Sequence, residues 1–115
     1  MITNFEEITE ELTAEELAML KPLMNGLKLR GSSNPIKAPD IAKAMLHYGY
    51  PKFTEVKLRK FVNHIRTKGL LPLIATSKGY YCTNDQEHIK KQIESLEQRA
   101  RSIMASADGL KQFLK

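Results

Sequence analysis

Between Thr54 and Thr83 the chain reads TEVKLRKFVNHIRTKGLLPLIATSKGYYCT, and its polar side chains recur at helical spacing. At 100° per residue, Lys57, Lys60, Asn63, His64 and Thr67 fall on one half of a helix. Leu58, Phe61, Val62 and Ile65 form an apolar stripe on the other half. Cations, an amide and a hydroxyl on one solvent face can meet phosphates or base edges. Lys52 and Thr54 stand at the helix start, where a phosphate would also meet backbone amides. Lys78 lies at the tip of the next turn, within reach of an adjacent phosphate or a minor groove. Arg59 and Arg66 fall at the margin of the apolar stripe, to lie along it or to pair with acids. Each cation taken singly reads better as a solvated surface charge than as a contact, and Asn63 also reads as a buried amide bonding the turn. Sharing one surface is what points them at a polyanion.

Bond-breaking chemistry finds little support. His47, His64 and His88 are scattered, and Cys82 has no cysteine partner. The chain has no H-E-x-x-H, no G-x-S-x-G and no phosphate-cradling glycine loop. A nuclease would need clustered carboxylates near the basic segment, and residues 21–83 hold only Asp40 and Glu55. No enzyme, metal or cofactor is expected. Cys82 reads as a small apolar residue on a strand.

The net charge of +5 hides an asymmetry. Residues 1–20 carry six glutamates and no Lys or Arg, a net −6. Residues 21–83 carry twelve Lys or Arg against two acids, a net +10, and residues 84–115 carry a net +1. A compact unit at +10 attracts polyanions far more than the total suggests. Apolar and charged contents of 42% and 27% are those of an ordinary globular chain. No run of about 18 apolar residues is present, so no membrane helix is expected. The acidic start lacks the apolar core of a signal peptide, and one cysteine fits a reducing compartment. The cytoplasm is the expected location.

These side chains need elements to position them. Thr13 and Glu16 form a capping box, with Leu12 and Leu17 at staple spacing. Leu17, Leu20, Met24 and Leu27 follow as a helical face, Pro22 is expected to kink or split that helix, and Gly31 stops it. A very short strand is expected over residues 35–37. A second helix starts with Pro39 and Asp40, buries Ile41, Ala42, Met45 and Leu46, and ends at Gly49. The third helix covers residues 54–68, closed by Gly69. Residues 71–76 and 79–83 read as a β-hairpin turning at Ser77-Lys78. Tyr80 and Tyr81 then point to opposite faces.

From a capping pair of Asn84 and Glu87 onward, Ile89, Ile93, Leu96, Ala100, Ile103, Ala107, Leu110 and Leu114 alternate spacings of four and three. That is an a/d heptad register to the end of the chain, and a helix of roughly 45 Å. Its seam calls for a partner, most simply a second copy of the chain. The alternative is an intramolecular amphipathic helix. Gly109 is the weak point, costing about 1 kcal/mol against alanine.

The order Asp40-Ile41-Ala42, KLRKFVNHIR, GLLPLIATSKGYY and DQEHIKKQIESLEQRARSIM resembles winged helix-turn-helix proteins of phages and prophages. The likeness covers residues 36–107. Its most specific part is LPLIATSKGYY, followed by a helix carrying Ile93, Leu96, Arg99 and Ile103. It implies a mainly α fold with a small β-hairpin (α+β), a winged helix-turn-helix followed by a long C-terminal amphipathic helix. It further implies duplex DNA binding through residues 54–68 with Lys78 in the wing, and a role in phage replication or transcription. The acidic N-terminus departs from the compact form of that family.

The expected organisation is an acidic arm over residues 1–12, a winged-helix domain over 13–83 and a dimerising helix over 84–115. Double-stranded DNA and a second copy are the expected partners, with no membrane, and the acidic arm could meet a further protein. About five contacting cations would give a slope of log affinity against log salt near −4 to −5. The competing expectation is an adaptor of the same fold whose apolar heptad seam docks a replication or recombination partner.

Overall fold

Thr13 opens the first helix through both halves of a capping box. Its hydroxyl accepts from the Glu16 amide at 3.1 Å, and the Glu16 carboxylate accepts from the Thr13 amide at 2.9 Å. The computed structural model describes residues 11–115. Of the acidic arm expected over residues 1–12, residues 1–10 therefore lie outside the described residues. Helix α1 runs Ala14–Lys28 without a break. Of the kink or split expected at Pro22, the split does not occur. Proline removes one backbone bond, while burial of Met19, Leu23 and Leu27 around it favours the continuous helix.

The buried face of α1 is also not the expected one. Glu16, Met19, Leu23 and Leu27 are buried, Leu20 and Met24 are partly covered, and Leu17 is exposed. Leu12 joins the core instead of stapling to Leu17. Two overlapping stripes satisfy helical spacing here, and packing selects one.

Helix α2 spans Ala38–His47 and helix α3 spans Glu55–Thr67. Ile41 and Met45 face the core from α2, whereas Leu46, expected inside, is exposed. Gly49, at φ 94°, allows the amides of Gly49 and Tyr50 to close on the carbonyls of Leu46 and Met45. The α2–α3 turn is anchored by Phe53, buried with its ring 5.3 Å from that of Phe61. Thr54 caps α3 by accepting from the Lys57 amide at 3.2 Å. Leu58, Phe61, Val62 and Ile65 are buried as the stripe requires. Gly69, at φ 64°, ends the helix.

Strands β1 (Leu73–Thr76) and β2 (Gly79–Cys82) pair antiparallel, with Leu73 opposite Cys82 and Thr76 opposite Gly79. β1 starts two residues later than expected, since Pro72 has no amide to pair and the Leu73 amide turns back to the Leu71 carbonyl. Ile36 forms a two-way bridge with Tyr80 at 2.9 and 2.8 Å, and the Cys82 amide donates to the Arg30 carbonyl. The segment expected as a short strand is this single bridge. Gly79 has φ 129°, and a Cβ there would stand 2.6 Å from the Ile36 carbonyl oxygen. Only glycine lets the hairpin close on residue 36.

The residues up to Thr83 and those from Asn84 to Lys115 form two separate compact units. Among its described residues the first holds three helices around one core with a two-stranded antiparallel sheet. The second is helix α4, Gln86–Lys111, about 39 Å long for its 26 residues. Asp85, rather than Asn84, caps it by accepting from the Glu87 amide at 2.9 Å. It runs through Gly109, and Leu114 lies beyond its end. No residue of α4 is buried. Among the described residues no helix is long and apolar enough to cross a membrane.

Candidate nucleic-acid interface

Helix α3 carries the residues singled out in the sequence, so the cover on each of its flanks decides what they can reach. One flank is covered by the first turn of α1. Lys60 Nζ donates to Glu16 Oε1 at 2.7 Å, with Lys60 8% and Glu16 5% exposed. Lys60 therefore does not stand on a solvent face as expected. It lies inside, neutralising a carboxylate that the capping box also holds. Lys57, half-buried, has its Nζ 3.9 Å from Glu16 Oε2, and Lys52 pairs with Glu15 at 3.4 Å. Three lysines assigned to a polyanion thus have acids of α1 as partners.

Burial works to raise the Glu16 carboxyl pKa. The hydrogen bonds from Lys60 and Thr13 and the Lys60 charge outweigh it, so Glu16 is held below the usual carboxylate value. Burial likewise pushes the Cys82 thiol up, opposed by the charge of Lys28. Cys82 is half-buried against the core, which makes it a poor nucleophile.

The open flank of α3 holds Val56, Arg59, Asn63 and Thr67. Val56 is 54% exposed, and Arg59 and Thr67 are exposed. Asn63 is half-buried, and its amide makes no hydrogen bond among the described residues. Thr67 donates to the His64 carbonyl at 3.3 Å, leaving its methyl and lone pairs outward. His64 is half-buried, and Arg66 Nε donates to the Leu73 carbonyl at 3.2 Å, tying α3 to the hairpin. Thr54 uses its oxygen as a cap yet keeps a hydroxyl proton to donate. Lys68 at the end of α3 and Lys78 in the hairpin turn are exposed and have no ion-pair partner among the described residues.

Arg59 was the residue misplaced by periodicity. It sits about 110° from the centre of the apolar stripe and Lys57 about 90°, so spacing alone favoured neither. The signal that separates them is the pair of acids at Glu15 and Glu16, which draw the lysines to their side.

A groove of about 430 Å³ opens between α1 and α2, lined by Leu23, Leu27, Ile36, Ile41 and Met45 and rimmed by Leu29 and Tyr48. Leu29 is 79% exposed, and Tyr48 is exposed beside the His47 ring. Among the described residues no group of three or more His, Cys, Asp or Glu could hold a metal. On α4 the expected dimer residues Ile93, Ile103 and Leu110 are exposed, while Ile89 and Leu96 are partly covered. Ala100 and Ala107 are exposed between them. Comparison with known families, curated proteins and solved structures finds no match.

Proposed function

We propose that this chain is a winged helix-turn-helix protein that binds duplex DNA in the cytoplasm. In this reading it acts as a homodimer through α4, in phage or prophage transcription or replication. The observation that carries the reading is one surface: an open strip on the second helix of a helix–turn–helix pair, followed by a hairpin tipped with an unpaired lysine. A helix of this kind fits a major groove roughly 12 Å wide, while the preceding helix braces the backbone. The bridge from Ile36 to Tyr80 supplies the third partner that a wing stacks upon.

The cations that enter differ from those spacing suggested. Lys60 is removed, Lys57 and Lys52 are engaged by acids, and Arg59, Lys68 and Lys78 remain free. Three contacts would give a salt slope near −3 rather than −4 to −5. A mobility-shift titration of the full chain on duplex DNA, with Arg59→Ala and Lys78→Ala, tests this. Weakened binding by both supports the reading, and a wild-type chain that retains no duplex at low salt refutes it. A slope unchanged by Lys78→Ala would remove the hairpin from the interface.

The groove beside Leu29 and Tyr48 favours a second reading, an adaptor docking a protein partner. Light scattering separates the two. A dimer that binds duplex supports the first, and a monomer that binds none supports the second.

A further inference from the structure

The distribution of charge around α3 fixes which way a bound duplex faces it. On the flank of Lys57 and Lys60 stand the carboxylates of Glu15 and Glu16, with exposed Glu11 one turn before them. A phosphate strand running along that flank would meet lysines whose charge the acids already neutralise, so it gains little attraction there. The opposite side of α3 faces the hairpin, tied there by Arg66 Nε to the Leu73 carbonyl, and so brings Lys78; its exposed carboxylate, Glu55, holds no cation in an ion pair among the described residues. Between the two lies the strip Val56, Arg59, Asn63 and Thr67, within about 80° of helix surface.

That strip is chemically specific. Arg59 is the α3 cation with neither an acid nor a backbone partner among the described residues. Arginine forks onto the O6 and N7 of guanine, and an asparagine amide onto the N6 and N7 of adenine. Asn63, with its stem half-buried and its amide unbonded, offers such a fork at little cost in ordering. Val56, an exposed apolar residue on the same line, suits the methyl of thymine. Arg59 and Asn63 are four residues apart, about 6 Å of helix rise. That is less than two base-pair steps of about 3.4 Å.

We infer that α3 reads base edges through Arg59 and Asn63, so that the preferred duplex carries a guanine and an adenine within two base-pair steps of each other. The inference rests on the duplex-binding reading above and adds its sequence preference. Lys78 contributes phosphate affinity without preference.

The test is selection from a random duplex pool by the full chain, its Arg59→Ala, Asn63→Ala and Lys78→Ala variants, each then titrated on the selected and a scrambled duplex. The wild type should enrich a motif with guanine and adenine at that spacing. Arg59→Ala should lose the guanine preference and about tenfold or more in affinity for the selected duplex. Asn63→Ala should relax the adenine position alone. Lys78→Ala should weaken both duplexes equally, with the motif intact. A motif insensitive to Arg59→Ala and Asn63→Ala, with duplex still bound, overturns this inference and leaves the duplex-binding reading standing. Failure of the wild type to retain any duplex at low salt overturns both.

Discussion

Replacing Lys60 with methionine should destabilise the three-helix unit, although a long side chain on a helix face is usually tolerant. The substitution keeps the stem and removes the ammonium that stands 2.7 Å from Glu16. Glu16, 5% exposed, then keeps the Thr13 amide at 2.9 Å and Lys57 at 3.9 Å as compensation. Breaking a buried pair by removing one partner costs about 3–5 kcal/mol. The two remaining contacts place this case at the lower end, about 3 kcal/mol. For a unit of this size that corresponds to a fall in melting temperature of roughly 12–24 °C. Replacing both partners, as Glu16→Leu with Lys60→Met, removes the stranded charge and recovers most of the loss. A deficit of about 1 kcal/mol should remain, because the capping box goes with Glu16. Urea unfolding followed by circular dichroism of the four proteins closes the double-mutant cycle. A single Lys60→Met loss under about 0.5 kcal/mol, or a double variant no better than that single, refutes the claim that the pair is buried and coupled.

The depressed Glu16 pKa sets a direction for acid sensitivity. The unfolded carboxyl binds protons more readily than the folded one, so the contribution is complete above the ordinary carboxylate value and is lost as pH falls through the folded one. Unfolding midpoints measured across that range should fall less steeply in Glu16→Gln than in the wild type. Gly79→Ala forces a Cβ within 2.6 Å of the Ile36 carbonyl at an unfavourable φ, and should cost at least about 2 kcal/mol by chemical denaturation. Ile103→Lys, at an exposed seam position of α4, should shift a dimer to monomer in light scattering while the unfolding midpoint of the first unit stays put.

Local order was legible wherever one residue type answers one physical demand. Thr13 with Glu16 is a capping box because a hydroxyl and a carboxylate must satisfy free amides, and the structure bonds them so. The Leu58–Phe61–Val62–Ile65 stripe admits one inward face, and it is buried. Pairing of the strands around Ser77 and Lys78 followed from their spacing. Helix α1 was less legible, because Leu17–Leu20–Met24 and Met19–Leu23–Leu27 are equally periodic. Nor could the chain announce that Pro22 would leave the helix unsplit.

The candidate site divides along the same line. By itself the sequence determined that α3 has a core face and a polar face, that cations gather on the polar face, and that a hairpin lysine follows it. Tertiary structure alone decided which of those cations are available. The first turn of α1 lies over one flank of α3, and a carboxylate taken out of water there requires a cation close by, which Lys60 supplies. That contact joins residues 44 apart in the chain, and no helical period links positions so distant. Lys60 was therefore removed from the open surface and Arg59 left on it, for a reason that exists only once α1 and α3 are packed together.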